Sequence, residues 1–159
     1  MLSRSRSGLR RIGVISDTHG WLRPEAVEFL RGADVIIHAG DIGDARILEE
    51  LAALAPLTAV RGNNDTAPWA RKVAETQVLK VDDVSIYVLH NLAELAVDPA
   101  GYRVIVSGHS HQPKVEERAG VLYLNPGSAG PRRFKLPISI GELRVEGAEV
   151  KAKVLECAS

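Results

Sequence analysis

Five short polar segments hold the residue types that bind divalent cations: Asp17-x-His19, Gly40-Asp41, Gly62-Asn63, His90, and Gly108-His109-Ser110-His111. The chain has five histidines, and four of them, His19, His90, His109 and His111, fall in these segments. The fifth, His38, stands three residues before Asp41 and is expected to position that loop. Carboxylate oxygen, amide oxygen and imidazole nitrogen without thiolate suit manganese, iron, nickel or zinc rather than a structural zinc knuckle. Period-two alternation in an extended segment would put Asp17 and His19 on one side of the chain, and likewise His109 and His111. Asp41 offers a carboxylate able to bridge two ions, and Asn63 an oxygen without charge. Gly40, Gly62 and Gly108 directly precede Asp41, Asn63 and His109, so the chain can turn sharply and approach closely there. Taken singly, each residue is an ordinary loop polar group bonding backbone amides. Seven of them in such company point to two ions.

The elements that must position them are legible from hydrophobic runs. Ile12–Ile15, Val35–Ile37 and Leu57–Val60 read as buried strands, and each feeds one of the polar loops. Between them, Pro24 opens a helix that Gly32 ends, and Asp44 caps a helix over Ala45–Leu54. This βαβ rhythm predicts a parallel sheet with covering helices, with a ligand site at the carboxyl ends of the strands. The rest reads as strands: hairpins Thr76–Val81/Val84–Leu89, Val115–Arg118/Val121–Leu124 and Ile138–Val145/Ala148–Leu155, with Val104–Val106 alone. Three more loops follow strands here, at His90, at His109 and at Asn125-Pro126-Gly127-Ser128.

These segments, in this order, resemble the calcineurin-like metallophosphoesterases. Their spacing and the Asn125–Ser128 turn resemble the small single-domain, YfcE-type phosphodiesterase branch. The resemblance covers Ile12–Leu155. It implies an α/β (α+β) fold, a four-layer sandwich of two mixed β-sheets flanked by helices. It also implies that Asp17, His19 and His111 hold one ion, that Asn63, His90 and His109 hold the other, and that Asp41 bridges them. Manganese is the first expectation for the metal, with iron, nickel and zinc as alternatives. The reaction implied is hydrolysis of a small phosphodiester by a hydroxide bridging two ions about 3.5–4 Å apart. Asp41, Asn63, Asp65 and His109 are the expected catalytic residues, and Asn64, Ser128 and Arg132 the expected substrate contacts.

Two departures from the family pattern stand out. Larger members place a histidine acid directly after the Gly-Asn pair, where this chain has Asn64 and then Asp65. An asparagine cannot donate a proton at a useful pKa, so Asp65 serves or the leaving group needs no proton. Asn91 follows His90 where glycine is common. Trp21 and Trp69 neighbour the motif loops and could rim a cleft.

Composition bounds the remaining classes. The 159 residues suit one domain, and no apolar run approaches the roughly 20 residues of a membrane span. Lysine plus arginine equals aspartate plus glutamate, 20 each. Arg4, Arg6, Arg10 and Arg11 crowd the first eleven residues, expected to be a disordered tail, and the body carries a net charge of −4. A slightly acidic body disfavours a dedicated nucleic-acid binder and leaves nucleic acid only as a substrate. The single cysteine, Cys157, fits a reducing cytoplasm. A monomer or small homo-oligomer is expected. The rival readings are a nuclease or cyclic-nucleotide phosphodiesterase, and a protein-binding scaffold like the retromer subunit of the same fold.

Overall fold

The computed structural model describes residues 8–131 and 136–157. Two five-stranded sheets face each other. The first contains β1 (Leu9–Ile15), β2 (Val35–His38), β3 (Leu57–Ala59), β9 (Ser139–Glu146) and β10 (Glu149–Glu156), in the order β10-β9-β1-β2-β3. The second contains β4 (Thr76–Val81), β5 (Val84–Leu89), β6 (Val104–Val106), β7 (Lys114–Arg118) and β8 (Val121–Asn125), in the order β4-β5-β6-β8-β7. Both are mixed: β1, β2 and β3 run parallel, as do β5, β6 and β8, while the outer hairpins are antiparallel.

Alternation sorts the side chains into layers. Ile12 and Val14 of β1 and Val35 and Ile37 of β2 point between the sheets, where they meet Ile86, Val88, Val104, Val106 and Leu124. Ile15 and Ile36 point the other way, onto α1 (Pro24–Leu30) and α2 (Ala45–Leu54), and pack with Leu30, Ile47 and Leu51. Each such fully buried side chain contributes roughly 1.5–3 kcal/mol relative to leaving it in water. Asp44 caps α2 as expected, accepting from Arg46 N–H at 2.9 Å. The outer face of the second sheet is covered by single-turn 3₁₀ segments at Leu92–Glu94 and Pro99–Gly101 rather than by α-helices, and Leu92, Leu95 and Tyr102 pack on Tyr87 and Ile105 there.

One boundary differs from expectation. Leu9–Arg11, expected in the tail, belong to β1 and pair with Glu146–Arg144 of β9. Arg10 is 5% exposed and lies beside Asp82 of the β4–β5 turn. Arg11 pairs with the buried Glu142 of β9, which also accepts from Arg144 and faces Lys153. Burial alone would raise the Glu142 carboxyl, but these cations outweigh it and hold it below its usual value. An Arg-rich run looks like a solvated tail until the partner strand, 131 residues away, supplies the opposing carboxylate.

Because β1, β2 and β3 share a direction in one sheet and β5, β6 and β8 in the other, their carboxyl ends deliver the motif loops to one rim of the sandwich.

Candidate metal centre

Backbone strain marks the rim. Asp17 (φ 56°), His19 (φ 49°), Asp41 (φ 56°), His109 (φ 71°) and His111 (φ 63°) all adopt left-handed conformations. The extended alternation expected for Asp17-x-His19 and His109-x-His111 is therefore not how these pairs converge. Each pair instead turns through two left-handed residues, a conformation costing roughly 1–2 kcal/mol per non-glycine residue.

The loops hold each other in that state. Asp17 N–H donates to Gly40 C=O at 2.9 Å, His19 N–H to Asp41 C=O at 2.9 Å, and Gly20 N–H to Ile42 C=O at 2.8 Å. Gly40 has φ 102°, and a Cβ there would lie 2.6 Å from His90 Nδ1. A Cβ on Gly62 would overlap the Asp41 backbone and carboxylate. The sheet-end loops thus interlock with no room for side chains at these points.

The ligand atoms meet in two overlapping groups, Asp17–His19–His111 and Asp17–Asp41–His90. Asp17 Oδ1 lies 3.4 Å from His111 Nε2, 3.8 Å from His19 Nε2 and 4.0 Å from His90 Nε2. Asp41 Oδ2 lies 3.3 Å from His90 Nε2 and 3.7 Å from His19 Nε2, between the imidazoles of the two groups. Asp17 reaching both groups was not foreseen, since sequence order gives no separation between its oxygen and His90. Asn63 Oδ1 and His109 Nδ1 are 3.1 Å apart at the exposed edge, and the His109 ring stands edge-on to His90 with centroids 5.1 Å apart.

Two observations test whether these residues fit metal ions. Asp17 Oδ1 and His90 Nε2 are buried side-chain atoms with no hydrogen-bond partner, though both face the cluster. Leaving a buried acceptor unsatisfied costs about 1–3 kcal/mol. A divalent cation supplies what each lacks. The tautomer agrees: His90 Nδ1 bonds Ala39 C=O at 2.7 Å, so it carries the proton and leaves the Nε2 lone pair toward the cluster. His19 Nε2 and His111 Nε2 face each other at 3.3 Å, an arrangement suited to two lone pairs sharing a cation. His111 differs in its support, because its Nδ1 has no partner among the described residues.

Charge is arranged accordingly. Burial works against the Asp41 carboxylate, yet the adjacent His90 imidazole and a hydrogen bond from Asn64 N–H outweigh it and hold its pKa at about 2. Burial likewise works against a charged His90, but Asp41 and Asp17 outweigh it and raise that histidine. His38, fully buried, is pushed down to about 4 by desolvation and stays neutral. Its Nδ1 accepts from Gly40 N–H and its Nε2 faces Thr18 Oγ1, so it is structural, as expected.

Several other expectations change. Asp65 is 5% exposed, and its carboxylate accepts from the N–H groups of Ile42, Gly43 and Gly62. It braces the Asp41 and Asn63 loops with both oxygens and is not placed as a proton donor. Ser128 is 3% exposed and donates to Asp17 C=O, so it supports the first loop rather than meeting substrate. Asn64 gives Asp41 two hydrogen bonds, from N–H at 2.9 Å and from Nδ2 at 3.1 Å, and so orients that carboxylate. Arg132 lies outside the described residues. Asn91 caps the Leu92–Glu94 turn through Ala93 N–H. Trp21 is 46% exposed with Arg23 stacked on it at 4.2 Å, whereas Trp69 packs against the helical core.

Two supporting residues were not assigned a role from the sequence. Ser16 donates to Asp17 Oδ2 at 2.7 Å, and Asn125 Nδ2 donates to Gly108 C=O at 2.9 Å. A serine before an aspartate carries no distinguishing signal. Asn125 lay in the turn already singled out.

Residues 11–148 match the calcineurin-like phosphoesterase superfamily domain. The chain belongs to that family. A "probable metallophosphoesterase" of Methanocaldococcus jannaschii is 37% identical over 163 residues, covering 93% of this chain and 82% of that protein. The phosphodiesterase YfcE of Escherichia coli K12 is 30% identical over 166 residues, covering 85% and 88%. These relatives place the chain with the small YfcE-type members of the family. Among solved structures, a novel archaeal phosphodiesterase superposes with TM-score 0.74 at 28% identity, covering 91% of this chain and 99% of that one. Vacuolar protein sorting 29 from Cryptosporidium parvum superposes with TM-score 0.76 at 20% identity, covering 95% and 99%, which shows the shared fold. Among the described residues no helix is long and apolar enough to cross a membrane.

Proposed function

We propose that the chain is a binuclear metal-dependent phosphodiesterase acting on small esters. The observation that carries the reading is the pair of buried, unpartnered atoms, Asp17 Oδ1 and His90 Nε2, facing a cluster of imidazoles and carboxylates. Asp17, His19 and His111 would hold one ion and Asn63, His90 and His109 the other, with Asp41 between them. Manganese is the first choice, and the same donors suit iron, nickel or zinc. When bound, such ions acidify water and neutralise charge on phosphoryl oxygens.

The protein's own residues prepare the site. Asn64 fixes the Asp41 carboxylate from two sides, and Ala39 C=O fixes the His90 tautomer. Asp65 and the loop-to-loop hydrogen bonds keep the left-handed segments in register. Asn63 and His109 sit at the open edge, where an incoming phosphate can meet them. With Asn64 unable to donate a proton and both Asp65 oxygens taken by backbone N–H groups, the site suits leaving groups that depart without protonation. That favours aryl and other acidic leaving groups. Cys157, the one thiol, suits a reducing cytoplasm.

The test is a panel of an aryl diester, an aryl monoester, cyclic nucleotides and single-stranded DNA, with manganese, zinc, iron or nickel. The aryl diester is expected to turn over fastest, and Asp41→Asn to abolish that turnover without loss of fold. Turnover retained in that variant overturns the reading. Cleavage of DNA or cyclic nucleotides ahead of the diester favours the nuclease-type alternative. No turnover on any substrate with ions bound favours the scaffold.

A further inference from the structure

Two cavities flank the metal cluster. One, of about 480 Å³, runs from His109 and Ser110 along Pro113, Lys114, Arg118 and Tyr123. The other, of about 320 Å³, is lined by Arg61, Asn63, Glu75, His90 and Glu94. Asn91 borders both. A phosphodiester has two organic arms, and two cavities meeting at the metal ligands match that shape. The cavities differ in charge. The smaller one contains two acids and one arginine, already paired as Arg61–Glu75 at 3.2 Å. The larger one carries Lys114 and Arg118.

The wall of the larger cavity is built from an alternating strand. Lys114, Glu116 and Arg118 share one face of β7, with Asn125, Tyr123 and Val121 opposite them on β8. The Arg118 guanidinium lies over the Tyr123 ring, 4.3 Å from its centroid. Glu116 holds Arg118 Nε at 3.3 Å and Lys114 Nζ at 2.8 Å. Arg118 is thus clamped on its inner face by a ring and on its edge by a carboxylate, while its side chain remains 53% exposed. Planar guanidinium groups stack on aromatic and nucleobase rings, and a pre-positioned one does so with little loss of side-chain freedom.

Resting on the phosphodiesterase reading above, we propose that the larger cavity selects the retained arm of the substrate. It takes a phosphodiester in which that arm bears a planar aromatic ring, stacked on the outer face of Arg118. Aryl groups and nucleobases share this chemistry. The volume falls in the range that encloses a ligand of nucleoside size. Arg118 and Tyr123 are positioning residues for that arm, and Lys114 adds a cation beside it.

The experiment uses three diesters with the same p-nitrophenolate leaving group and a methyl, phenyl or thymidine-5′ retained arm. The bond broken is the same throughout, so differences report the arm. The wild-type protein is expected to favour the phenyl and thymidine esters over the methyl ester by about tenfold in kcat/KM, mostly through KM. A preference confined to one of them identifies whether an aryl group or a nucleoside is the better fit. Arg118→Ala and Tyr123→Leu are expected to bring the ratio toward one. Arg118→Lys, which keeps charge and loses the plane, is expected to do the same. A wild-type ratio near one, or a ratio that survives all three substitutions, overturns the proposal. A second measurement separates this from failure of the hydrolase reading. Calorimetric titration of metal-free protein with thymidine 5′-monophosphate and with methyl phosphate is expected to show the nucleotide binding about tenfold tighter, an advantage lost in Arg118→Ala. Equal affinities overturn the cavity assignment whether or not the protein turns over any ester.

Discussion

Asp17, Asp41, His90 and His111 are nearly sealed from solvent, at 0%, 2%, 5% and 3% exposure. Asn63 and His109 lie open at the rim and hydrogen-bond each other. Three of the inner residues are held by neighbouring loops: Ser16 Oγ and His109 N–H fix Asp17 Oδ2, Ala39 C=O fixes His90, and Asn64 N–H fixes Asp41. Among the described residues the Asn63 Oδ1 and His109 Nδ1 atoms hydrogen-bond each other, and would have to part from that mutual bond to meet an ion. One end of the cluster is rigid and ready for a ligand, and the other end has to be organised on binding. Two ions held as proposed would differ in affinity, and the weaker would lie at the open edge.

The sharpest way to break this contrast is to remove the carboxylate proposed to serve both ends. Replacing Asp41 by Asn is expected to cut aryl-diester turnover by about 1,000-fold or more, since several kcal/mol of charge stabilisation is lost. Melting followed by circular dichroism should meanwhile show an intact fold. The next largest effect tests the rigidity of the inner end. Asp65→Ala strips the acceptor from three backbone N–H groups and is expected to destabilise the fold by about 3 kcal/mol in urea titrations. A loss under about 1 kcal/mol would show that the loops keep their shape without it.

A third test concerns His38, behind the inner end. Its folded value of about 4 lies below the ordinary 6.5, so the unfolded chain binds a proton that the folded one refuses. Its effect is absent above pH 6.5, and stability falls as pH drops from there toward about 4, by roughly 3 kcal/mol in all. Urea titrations across that window should show the fall, and His38→Gln should flatten it. The smallest effect separates the ends directly. Calorimetric manganese titration is expected to resolve two affinities about tenfold apart. His111→Ala should remove the tighter event and Asn63→Ala the weaker, with losses of about 10–100-fold. Loss of both events together in Asn63→Ala would erase the distinction.

Inner strands such as β2 and β6 were legible as short apolar runs, outer ones such as β4 and β10 as alternating segments around turn residues, and Asp44 was legible as a cap because side chain and position agree. The candidate ligands were legible because histidine is scarce in this chain and falls at strand ends. What alternation could not reveal was the left-handed backbone at Asp17, His19, Asp41, His109 and His111, which depends on loops from other strands holding it. Asp65 was readable as acid or brace, and only the positions of three distant N–H groups decide between them. Ser128 looked available to substrate until Asp17 C=O was placed against it. Arg10 and Arg11 looked like tail because their partners, Asp82 and Glu142, are remote in sequence.

The Asp17 carboxylate has a further consequence. Its loop belongs to the first sheet, yet Oδ2 accepts from His109 N–H on a loop of the second. The proposed ion ligands likewise come from both sheets, so cations bound there would act as rivets across the sandwich. Chelation would then loosen the mechanical joint between the two sheets as well as remove the chemistry. Melting temperature should climb with free metal concentration, as for any ligand that binds only the folded chain.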